Sequence, residues 1–156
     1  MRAWFGAFLV IFSLVTFVVA AQSIDIPDFV NGSAQDRPSP FPRISKDHIH
    51  FYTDKVVIDL PDAQWATFAD SNSMDPLFDE GNYAIEVAPK NISDIHVGDI
   101  ISYAPDNTSD PIVHRVIAIR DDGEWYAIVR GDNNPLPDPG KVRFDEVKRV
   151  MAAIIY

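Results

Sequence analysis

From residue 48 onward the apolar residues come in short runs, not at the three-to-four spacing of an amphipathic helix. The runs are rich in Val, Ile, Phe, Tyr and Trp and are bounded by Asp, Asn, Pro and Gly, which is the signature of short strands joined by turns. Strands are predicted at 48–52, 55–60, 65–69, 83–87, 99–103, 112–119, 124–130 and 141–144. Asp121-Asp122-Gly123 predicts a hairpin turn between two of them, because Gly supplies the positive φ such a turn needs. Pro139-Gly140 predicts another, and the apolar end, 147–156, fits either a short helix or a final strand. The expectation is a mainly β domain over residues 44–156.

The first segment follows a different pattern. Residues 3–21, AWFGAFLVIFSLVTFVVAA, carry no charge, and nineteen residues span about 28 Å as a helix, close to a hydrocarbon core of about 30 Å. Residues 1–21 therefore read as a transmembrane signal-anchor. The competing reading is a cleaved signal peptide with Val19-Ala20-Ala21 before the cut, but its apolar region normally runs to only about 7–15 residues. Arg2 and the amino terminus favour the cytoplasmic side. The expected arrangement is a single pass through the cell membrane, with residues 3–21 in lipid and the domain extracytoplasmic. Between anchor and domain, residues 22–43 read as a Pro-rich linker ending in RPSPFPR, a composition that favours an extended spacer of about 3.1 Å per residue. Asn31, Asn91 and Asn107 each begin an Asn-x-Ser sequon, which on an exported domain is a glycosylation acceptor.

Thirteen Lys and Arg against 23 Asp and Glu give a formal charge of −10, which argues against nucleic acid as a partner because phosphate binding depends on clustered cations. The absence of cysteine excludes disulfides, thiol catalysis and cysteine-ligated metals.

Three stretches could carry chemistry. In Ser71-Asn72-Ser73-Met74-Asp75-Pro76, two hydroxyls stand one residue apart; the segment reads as a polar turn, or as a nucleophile with a helper hydroxyl facing the same way on an extended backbone. A serine nucleophile needs a base, and there are four histidines. His48 and His50 share one face of a predicted strand, but without an evident third ligand they read as surface contacts and not as a metal site. His96, in a loop, reads as solvated. His114 sits inside the apolar run Ile112-Val113-His114-Arg115-Val116, where a polar side chain needs a partner. The third stretch, Gly131-Asp132-Asn133-Asn134-Pro135-Leu136-Pro137-Asp138, is a long loop with two carboxylates six positions apart. Asp132 reads as a carboxylate that caps local N–H groups, whereas Asp138 is held between two prolines.

In this order, SNSMDP, GDIISY at 98–103, IVHRV at 112–116 and GDNNPLPD at 131–138 resemble the type I signal peptidase family, in the branch of archaea and the endoplasmic reticulum. The resemblance covers about residues 65–150. It implies a signal-peptidase/LexA-like β domain behind one amino-terminal transmembrane helix, and a serine endopeptidase that cuts signal peptides from exported preproteins. It further implies Ser73 as nucleophile, His114 as general base, Asp138 as the third triad member, Asp132 as a supporting acid, and Ser71 with the Ser73 N–H as the oxyanion hole. No metal or cofactor is implied, and accessory subunits are left open. Small substrate side chains are implied at the first and third positions before the scissile bond. Asn72 stands where the family usually carries glycine. Two alternatives belong to other classes. A self-cleaving repressor of the LexA type would need a DNA-binding domain and a lysine base. A non-catalytic, membrane-tethered binding or assembly module could keep the same fold.

Overall fold

The computed structural model describes residues 37–105 and 110–156. The predicted anchor at 1–21, most of the linker, and two sequons, at Asn31 and Asn107, lie outside the described residues. Among the described residues no helix is long and apolar enough to cross a membrane.

Nine strands follow one another in the described residues: β1 (Ile49–Phe51), β2 (Val56–Ile58), β3 (Gln64–Thr67), β4 (Tyr83–Val87), β5 (Ile100–Tyr103), β6 (Ile112–Asp121), β7 (Trp125–Arg130), β8 (Val142–Arg143) and β9 (Val147–Ile155). The mainly β expectation stands, and the apolar carboxy-terminal run resolves as a strand. β1 and β2 pair as a hairpin, and the other seven form an antiparallel sheet in the order β3-β4-β9-β5-β6-β7-β8. The last strand thus lies between β4 and β5, so the sheet is complete only when the end of the domain docks. The β6–β7 turn uses Gly123 at φ 105, as its sequence requires.

β5 shows why the sheet holds together. All four of its residues are buried, and alternation sends Ile100 to one side and Ile101 and Tyr103 to the other. Ile101 and Tyr103 join Ile95, Val116, Val129 and Val150 in the larger apolar cluster. Ile100 joins Met74, Phe78, Ala84 and Met151 in the smaller one. The smaller cluster anchors the loop between β3 and β4 through Met74, and that loop carries the paired serines.

Residues 37–43, the end of the Pro-rich stretch, lie against the sheet. Asp99, fully buried, accepts from the Phe41 N–H at 2.9 Å, from Arg43 at 2.5 Å and from the His96 N–H at 2.8 Å. Arg115 donates to the carbonyls of Pro38 and Gly98 at 3.1 and 2.8 Å. Gly98 has φ 102, and a Cβ there would approach the Ser39 carbonyl oxygen to 2.3 Å, so only glycine lets the two backbones meet. A buried carboxylate is tolerable only when paired in this way. His96 differs from its solvated reading: its ring is partly exposed and stacks on Phe41 with centroids 4.1 Å apart.

Candidate active site

The serine loop turns on Asn72. Its φ of 56 is left-handed, a conformation that glycine adopts freely and that asparagine tolerates better than other side chains. This corrects the extended-backbone argument: Ser71 and Ser73 converge because the residue between them reverses the chain. It also accounts for asparagine where the resembled family has glycine. Ser71 Oγ lies 3.1 Å from Ser73 Oγ, and the Ser73 N–H points to Ser71 Oγ at 3.5 Å. One hydroxyl and one amide therefore sit beside the second hydroxyl.

The loop after β7 supports this turn from below. The Asn133 N–H donates to the Ser73 carbonyl at 2.9 Å, and Asn133 Nδ2 donates to the Asn72 carbonyl at 2.9 Å. The Asp132 N–H points to the Met74 sulfur at 3.4 Å. A Cβ on Gly131 would come within 2.6 Å of the Ser73 carbonyl oxygen, so glycine is needed for the loops to touch. The Gly-Asp-Asn-Asn run is thus a brace for the serine turn.

β6 then presents His114 and Arg115 in succession, both 7% exposed. His114 Nδ1 is hydrogen-bonded to Asp138 Oδ2. The same oxygen accepts from the Tyr103 hydroxyl at 2.5 Å. Burial first, then the hydrogen bond to Asp138 and its charge, push the Tyr103 phenol well above its ordinary pKa, so it stays a donor. The Asp138 N–H bonds the Val129 carbonyl at 2.9 Å, fixing the proline-flanked loop to the end of β7. With Nδ1–H committed to a carboxylate, a neutral imidazole keeps its lone pair on Nε2.

Arg115 pairs with Asp132 instead, Nε to Oδ1 at 2.8 Å and Nη2 to Oδ2 at 2.7 Å. Asp132 was expected to cap its own loop. Its carboxylate is taken by a two-pronged guanidinium contact, the strong geometry for such a pair.

Ser71, Ser73 and His114 line one cavity of about 580 Å³, walled by Ala66, Phe68, Met74, Phe78 and Val113. Among the described residues no hydrogen bond joins Ser73 to His114; the serine hydroxyl is bonded to Ser71. Catalytic contacts in unliganded sites are often long and tighten when substrate binds. Sequence reasoning missed Tyr103, Arg115 and Glu86, a buried acid on the cavity wall. A tyrosine or a charged residue inside an apolar strand needs a buried partner, and that signal was available for all three. His50 bonds Asp59 at 3.0 Å.

The chain is 34% identical, over 73 residues, to the signal peptidase complex catalytic subunit SEC11 of Plasmodium falciparum; the match covers 45% of this chain and 38% of that one. It is 37% identical over 46 residues to an uncharacterised protein of Methanocaldococcus jannaschii, covering 29% of this chain and 23% of that one. The matches thus span well under half the length of these relatives. No protein-family model matches the chain, and no solved structure does. The SEC11 similarity supports kinship with signal peptidases.

Proposed function

We propose that this chain is a serine endopeptidase of the signal peptidase kind, tethered to the cell membrane through residues 3–21 with its domain outside, and acting on the leaders of exported preproteins. The observation that carries the reading is the convergence on one cavity of the Ser71–Ser73 hydroxyl pair and a histidine whose Nδ1 is held by Asp138. The similarity to a signal peptidase catalytic subunit points the same way.

His114 Nε2 takes the proton of Ser73 as Oγ adds to the scissile carbonyl. The resulting oxyanion lies between the Ser73 N–H and Ser71 Oγ, and one such donor is worth roughly 3 kcal/mol. His114 then returns the proton to the leaving amine, and water, deprotonated by the same imidazole, releases the acyl group. Asp138 holds the tautomer and stabilises the imidazolium, and Tyr103 holds Asp138. Asp132 supports the site at one remove, by pairing Arg115 and bracing the serine turn. The extended substrate would present its small side chains to the cavity.

Incubating the full chain in detergent with a preprotein, then sequencing the new amino terminus, tests the reading. Ser73→Ala should abolish both cleavage and labelling by an active-site serine probe, whereas Ser71→Ala should slow cleavage by roughly 10²–10³. Full activity in Ser73→Ala would end the proposal. A wild-type chain that binds preprotein without cutting it or reacting with the probe would favour the non-catalytic module.

A further inference from the structure

The cavity beside Ser73 has apolar walls but not an apolar lining throughout. Glu86, on β4, lines it and is only 6% exposed. Among the described residues its Oε1 has no hydrogen-bond partner. Ser102, a buried hydroxyl on β5, lines the same space. Glu86 also stands at a break in strand register, where pairing with β9 jumps from Ile85↔Ala153 to Glu86↔Met151. Such bulges re-aim a side chain and occur beside active sites.

An unpartnered carboxyl oxygen in this position opposes folding, and a leucine or methionine would fill the space without that penalty. Groups that break the rule for buried polar atoms concentrate at functional sites, where a bound group can complete them. We propose that Glu86 is a specificity-determining residue of this cleft, and that it hydrogen-bonds a short hydroxyl-bearing substrate side chain, serine or threonine, at one of the two substrate positions facing the cavity. The proposal rests on the peptidase reading for what the cavity holds.

The chemistry selects that class over its rivals. Burial raises the Glu86 pKa, with Arg149 partly opposing, so the carboxyl is a poorer anion than an exposed one and a neutral hydroxyl suits it in either protonation state. A hydroxyl can accept from the acid O–H and donate to the carboxyl oxygen, leaving no group unpaired. An alanine or valine side chain leaves Oε1 without a partner. A lysine or arginine would have to shed its hydration among the cavity's aromatic and aliphatic walls. A site that bonds a substrate hydroxyl discriminates strongly against the analogue lacking it.

The test uses the full chain in detergent and peptides spanning a cleavage site, identical except for Ala, Ser or Thr at the first or third position before the scissile bond. Binding is read by fluorescence anisotropy on Ser73→Ala protein, so that cleavage does not intrude, and kcat/KM is read on the chain with Ser73 intact. At one of the two positions Ser or Thr should bind about tenfold tighter than Ala. Glu86→Leu should abolish or reverse that ratio, and Glu86→Gln, which keeps a donor and an acceptor, should retain much of it. No peptide binding, no preference, or the same preference in Glu86→Leu overturns the proposal. A Glu86-dependent binding preference with no cleavage by the wild type refutes the peptidase reading and leaves the specificity pocket standing. Cleavage without that preference does the reverse.

Discussion

His114 and Arg115 are neighbours on one strand, equally buried, and each is paired with an aspartate from the same loop, yet the two pairs are built for different ends. Four of the five Arg115 N–H donors are taken, by both carboxylate oxygens of Asp132 and by two backbone carbonyls. It joins the 37–43 segment, the loop before β5 and the brace beneath the serines. Among the described residues His114 is fastened at one nitrogen only, and it lines the cavity. A pair held by several bonds resists change, while an imidazole held at one nitrogen keeps a lone pair on the other, which the proposed mechanism would use. Alternation along β6 separates the two roles, so that structure and chemistry share a strand without sharing partners.

The sharpest way to break this comparison is to neutralise each aspartate in turn. Asp138→Asn should leave the fold intact and lower kcat by up to about 10⁴, since an amide favours the wrong imidazole tautomer. Asp132→Asn should leave Arg115 buried without a countercharge, a loss of roughly 3–5 kcal/mol. Its melting temperature should fall by roughly 10 °C or more, with a smaller effect on rate. Measuring kcat and Tm for both variants decides the matter. A stable, inactive Asp132→Asn beside an active Asp138→Asn would reverse the two assignments.

Tyr103 sharpens the comparison by asking whether the proposed catalytic pair itself needs support. Tyr103→Phe removes one donor from Asp138 and nothing from Arg115. The expected result is a fall in kcat of about tenfold at unchanged KM, the loss of a single hydrogen bond to a charged acceptor. A change confined to Tm, or to KM, would make Tyr103 a packing residue and leave Asp138 self-sufficient.

Much of this was legible in the chain. Strand positions followed from β-branched runs between turn formers, and even the short β8 fell inside a predicted run. The carboxy-terminal run stayed ambiguous because its placement between β4 and β5 depends on distant partners, which local periodicity does not encode. His114 stood out as a polar residue in an apolar strand, a pattern that by itself fits a paired structural histidine; its role as base came only from the family resemblance. Arg115, beside it, carried the same signal more strongly, but long cations are so often solvated that its burial went unread. Asn72 was noticed for its identity but not for its φ, because left-handed turns are set by the loop's attachments as much as by its residue. The brace from Gly131 to Asn133 could not be inferred from spacing, since it joins residues about sixty positions apart.

Glu86 extends the comparison to a third acid, one whose Oε1 has no partner at all among the described residues. Asp132 and Asp138 each have a cationic or donor partner; Glu86 has the more distant charge of Arg149, which only partly offsets the effect of burial. The sign of its pH effect follows. A carboxyl whose folded-state pKa lies above its unfolded value binds its proton more tightly when folded. Folding is therefore favoured while the group is protonated, and stability falls as pH rises from the ordinary glutamate value, about 4.3, through the raised folded value. Asp132 and the other acids titrate as well, so the informative quantity is the difference between wild type and Glu86→Gln at each pH. At about pH 4 the two should melt together. As pH rises the wild type should fall behind by a few degrees, and the gap should then level off once Glu86 is ionised in both states. A gap that is constant with pH would mean that Glu86 titrates normally. A wild type that gains on the variant as pH rises would mean that its carboxylate is stabilised after all, by Arg149 or another cation.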